Sequence, residues 1–88
     1  MNAHTKSLLE RVLSSINLYE QRKMNEKELM QDIEGTCGAI EEHDIQSQLN
    51  SFVVKIEESL YLYDVAEGKK FLLEEIQKIK DSLLEQLN

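Results

Sequence analysis

The chain has no proline, no tryptophan, three glycines and one cysteine in its 88 residues. Each shortage closes off a class of answer. With no proline-rich linker and so short a length, one domain over residues 1–88 is expected. A domain of this size buries a modest share of its surface, leaving room for a core but little for a deep substrate cavity. Cys37 has no second cysteine to pair with, which is expected of a protein held in a reducing cytoplasm. There is no run of about 18 apolar residues, so no membrane span is expected. The opening segment MNAHTKSLLERVLSSINLYE lacks the apolar centre and small-residue cleavage site of a signal peptide.

Catalytic signatures are missing as well. No glycine-rich phosphate loop, CxxC pair or HExxH motif occurs. Only His4 and His43 could supply an imidazole. His43 sits in Glu41-Glu42-His43-Asp44, but neighbouring residues on a helix point in different directions, and the ExxH spacing of helical di-metal sites is absent. His43 therefore reads as an exposed turn residue. Cys37 falls among apolar neighbours with no histidine to activate it, so a buried, inert thiol is expected. The carboxylates all lie on faces predicted to be exposed, where a carboxyl keeps an ordinary pKa and is a poor acid at neutral pH. The expectation is a protein with no enzymatic activity, no cofactor and no metal.

What is present is negative charge. Seventeen Asp and Glu oppose ten Lys and Arg, a net −7. Such a chain is repelled by nucleic acid and by anionic membranes, and its natural partner is a basic protein. The charge is concentrated. Residues 26–44 hold Glu26, Glu28, Asp32, Glu34, Glu41, Glu42 and Asp44 against Lys27 alone, a net −6.

Apolar residues recur at helical spacing throughout, and no segment alternates with period two. The pattern predicts an all-α protein, an antiparallel four-helix bundle with helices over about 5–22, 26–42, 45–64 and 68–87. The first helix carries the stripe Leu8, Leu9, Val12, Leu13, Ile16 and Tyr19. Asn25 with Glu28 forms a capping box for the second, and Met24 with Leu29 a hydrophobic staple. Its apolar face is Leu29, Ile33, Cys37 and Ile40. Asp44 is the candidate N-cap of the third helix, whose stripe runs Ile45, Leu49, Phe52, Val53, Ile56, Leu60 and Tyr63. The apolar phase then slips and resumes at Leu72, Ile76, Ile79 and Leu83. Gly68 could stop the third helix there, or Asp64 and Glu67 could cap an earlier start of the fourth.

Two glycines interrupt the acidic segment. At about 100° per residue, Gly35 and Gly38 fall nearly opposite the apolar face of the second helix. Each costs about 1 kcal/mol relative to alanine in a helix interior. Either Gly35 ends the second helix and residues 26–44 form two pieces, or the pair leaves a bare acidic face against which a partner can lie, or the glycines have no role beyond local flexibility. On the third helix Val54 and Tyr61 lie opposite the core stripe, framed by Glu57 and Glu58. An exposed Tyr beside carboxylates is an interface anchor, since it covers area at low entropic cost and keeps a hydrogen bond. The candidate partner-binding residues are Glu34, Gly35, Gly38, Glu41, Glu42, Asp44, Glu57, Glu58 and Tyr61.

The small size, acidity, all-helical pattern and carboxylates of residues 26–44 resemble the small helical immunity proteins of colicin-type and contact-dependent bacterial toxins. The resemblance is one of general character over the whole chain. It implies a cytoplasmic inhibitor that covers the active site of a basic toxin, such as a nuclease, with carboxylates standing in for phosphates. By position, Glu34, Glu41, Glu42 and Asp44 would do the covering. A second class of reading is a homodimeric adaptor or chaperone-like module, with Val54, Tyr61 and Phe71 as the self-association face. A third is a regulator that sequesters a DNA-binding protein by acidic mimicry.

Overall fold

Helical stripes alone cannot stay in water, and four of them bury one another. The computed structural model describes residues 2–88 and contains α1 (Ala3–Glu20), α2 (Glu26–Cys37), α3 (His43–Tyr61) and α4 (Val65–Leu87). Each helix packs on its chain neighbours, and α1 closes the ring against α4. Short connections make sequential helices antiparallel, so this is an up-down-up-down four-helix bundle. Its principal extents are 39 × 23 × 20 Å.

The core is the predicted set of stripes. Leu9, Ile16, Leu29, Ile33, Leu49, Ile56, Leu72, Ile76 and Leu83 are fully enclosed, with Val12, Cys37, Ile40, Phe52, Val53 and Ile79 around them. Leu13, Tyr19 and Leu60 are half-buried at its edge. Tyr63 is the exception: it is 41% exposed and stacks on Phe71, with ring centroids 4.9 Å apart.

The helix ends differ from the sequence expectation, each for a local reason. α1 starts at Ala3 rather than Thr5, because the Asn2 side chain accepts the Thr5 N–H. It stops at Glu20 rather than Arg22. The Lys23 N–H reaches back to the Leu18 carbonyl and the Arg22 N–H to the Tyr19 carbonyl, which is a Schellman closure. Arg22 takes the left-handed position with φ 62°. Glycine is the usual occupant there, and a side chain costs about 1–2 kcal/mol.

α2 has the full capping box of Asn25 and Glu28 at its start. It ends at Cys37 rather than 42. The chain tightens as Ala39 and Ile40 donate to the Thr36 and Cys37 carbonyls, while the Gln46 side chain donates to the carbonyls of Cys37 and Ile40. A side chain from the next helix thus adds a second hydrogen bond to the Cys37 carbonyl and satisfies that of Ile40 in the connection. Ile40 stays buried in the connection. α3 begins at His43 with Glu42 as its N-cap residue, so Asp44 is not the cap. Asp44 sits in the first turn, where a carboxylate favours the helix dipole.

α3 ends at Tyr61, and α4 begins at Val65 rather than Gly68. The Asp64 side chain accepts the Glu67 N–H and caps α4. The earlier of the two possible breaks is therefore the one adopted. Gly68 is not a helix stop. It is buried inside the first turns of α4, with its Cα against the Ser59 carbonyl of α3. A Cβ there would overlap the Ser59 oxygen and lie 3.2 Å from its carbonyl carbon. The absent side chain lets α4 cross the end of α3 closely.

Candidate functional site

The nine candidate residues separate into two groups. Glu34, Gly35, Gly38, Glu41, Glu42 and Asp44 cluster around the connection between α2 and α3. Glu57, Glu58 and Tyr61 lie at the other end of α3. Asp44 and Tyr61 are seventeen positions apart on that helix, about 25 Å along its axis at 1.5 Å per residue. No single small patch contains both groups.

In the first group, Glu34, Glu41 and Asp44 are exposed, and no salt bridge among the described residues engages them. Their field is left free to act on whatever approaches. Glu42 has a different environment. Its Oε1 accepts from the Thr5 hydroxyl at 2.7 Å and from the Asn2 side-chain amide at 3.4 Å, and its Oε2 is buried without a partner. Thr5 itself is buried. Glu42 is thus a strut joining the starts of α1 and α3, and less available to a partner than its sequence neighbours.

The glycines are bare in the literal sense. No atom lies within 4 Å of a Cβ built on Gly35, and one on Gly38 meets only its own helix's carbonyls at 3.8 Å. Neither has positive φ, and α2 runs past Gly35 to end at Cys37, with Gly38 as its C-cap. Of the readings the sequence left open, the one in which Gly35 ends the helix is therefore excluded. Neither packing inside the bundle nor backbone conformation requires these glycines. Gly35→Ala should stabilise the protein by about 1 kcal/mol, raising the melting temperature by about 4–8 °C. A thermal melt showing a loss of stability would mean that the outer face of α2 is strained.

In the second group Tyr61 is 69% exposed, with Val54 exposed two turns earlier on the same outer face of α3. Glu57 is exposed, while Glu58 is half-buried and pairs with Lys55 at 3.7 Å. Sequence reasoning missed the residues that follow. Leu62 is 72% exposed and Val65 76% exposed. Continuing the α3 stripe to Tyr63 hid them. The Asp64 cap was the signal, since a break there releases residues 62–64 from the helix and turns them outward.

A surface groove of about 640 Å³ lies where the α1–α2 connection meets α4 and includes Tyr19, Arg22, Lys23, Lys69 and Leu73. Within it the Tyr19 hydroxyl donates to Glu26 Oε1 at 3.1 Å. Burial, then the neighbouring Glu26 charge and that hydrogen bond, push the phenol pKa up from 10.0 to about 12. Below pH 10 folded and unfolded chains both keep this proton. Between pH 10 and about 12 only the folded chain keeps it, so stability falls through that window. Urea titrations should show a shallower alkaline decline for Tyr19→Phe than for the parent.

Cys37 is buried, and its thiol lies 3.3 Å from Asn50 Oδ1 and 3.4 Å from the Gln46 carbonyl. Burial pushes its pKa up, away from the thiolate a nucleophile needs. Among the described residues no three His, Cys, Asp or Glu side chains stand together as a metal site, and no helix is long and apolar enough to cross a membrane. The chain matches no family model, no curated protein and no solved structure.

Proposed function

We propose that this protein is a non-enzymatic binding module, an immunity or inhibitor protein of the bacterial cytoplasm that neutralises a basic toxin domain, such as a nuclease. One observation carries the reading. Glu34, Glu41 and Asp44 stand exposed at one end of the bundle, and no salt bridge among the described residues engages them. A nuclease active site is built to receive phosphates, so a fixed set of carboxylates can occupy it and is drawn to it from a distance. Bare Gly35 and Gly38 beside them let a partner's surface lie close to the α2 backbone.

A homodimeric module is the second reading, favoured by the exposure of Val54 and Tyr61. Phe71 fits that reading poorly, because it is half-buried and stacked with Tyr63.

The test begins with a basic protein captured from a lysate of the source organism by the immobilised chain. Its catalytic activity is then titrated with this protein. Loss of activity at one equivalent supports the inhibitor reading. A captured partner that stays fully active at saturation would contradict it.

A further inference from the structure

We draw no further inference here: the strongest candidate, the exposed apolar corner between α3 and α4 at Tyr61, Leu62 and Val65, has Lys55 and Lys69 standing among its carboxylates, and nothing in the structure shows what covers it.

Discussion

Gly68→Ala should lower the melting temperature by about 12–24 °C, taking about 3 kcal/mol for a forced backbone displacement in a domain of this size. The added methyl group would overlap the Ser59 carbonyl oxygen, and that oxygen belongs to the backbone of α3. A flexible side chain could rotate away, whereas two packed helices must move apart. Separation would loosen Leu72 and Ile56, both fully buried nearby in α4 and α3. Gly35→Ala is the matched control, since the same substitution meets empty space there. Thermal melts of the two variants should move in opposite directions. A Gly68→Ala protein as stable as the parent would show that α3 and α4 are not held at this close approach.

Phe52→Ala should cost about 3–5 kcal/mol, a large part of the total of about 5–15 kcal/mol typical of a folded domain. Phe52 is buried on α3, on the side that faces Ile79 of α4. Removing the ring deletes apolar burial and leaves a cavity that the helices cannot fully close. Urea unfolding should place the midpoint far below that of the parent, with part of the population unfolded in buffer. Val54→Ala, also on α3 but exposed, should change stability by no more than about 0.5 kcal/mol. If the two variants behaved alike, the inward face of α3 would be misassigned.

The core was legible because a stripe such as Ile45, Leu49, Phe52 and Ile56 has one period and one burial solution. The capping box of Asn25 and Glu28 was legible because its partners are three residues apart. The end of α2 was not legible. It depends on Gln46, a residue of α3 that folds back onto the carbonyls of Cys37 and Ile40, and nothing local announces that. Gly68 misled for a related reason. A glycine after an apolar run reads as a stop, whereas here it answers a carbonyl nine residues earlier in the chain, across the interhelical contact.

The site shows the same division. That Glu34 would be exposed followed from helical phase, whereas Glu41 was placed on a helix that ends before it and Asp44 at a cap position that Glu42 takes. That Glu42 would bond to Thr5 did not follow from phase, because the pairing spans 37 positions. The corner at Tyr61–Val65 was hidden by one choice, the continuation of α3 through Tyr63. Its apolar residues were present in the sequence, but their exposure depends on where the chain turns.

The reading of this chain as a charge-guided binder stands or falls on its rate of association with the captured basic partner, measured against ionic strength. The substitutions Glu34→Gln, Glu41→Gln and Asp44→Asn test the same surface, and Glu42 is left intact because it supports the fold. Exposed charges contribute little to stability, so this variant should melt close to the parent temperature. Its association should be about tenfold slower at low salt, and the parent's rate should fall steeply toward that of the variant as salt screens the field. A rate that is the same for parent and variant, and flat in salt, would contradict a role for the acidic turn in recognition.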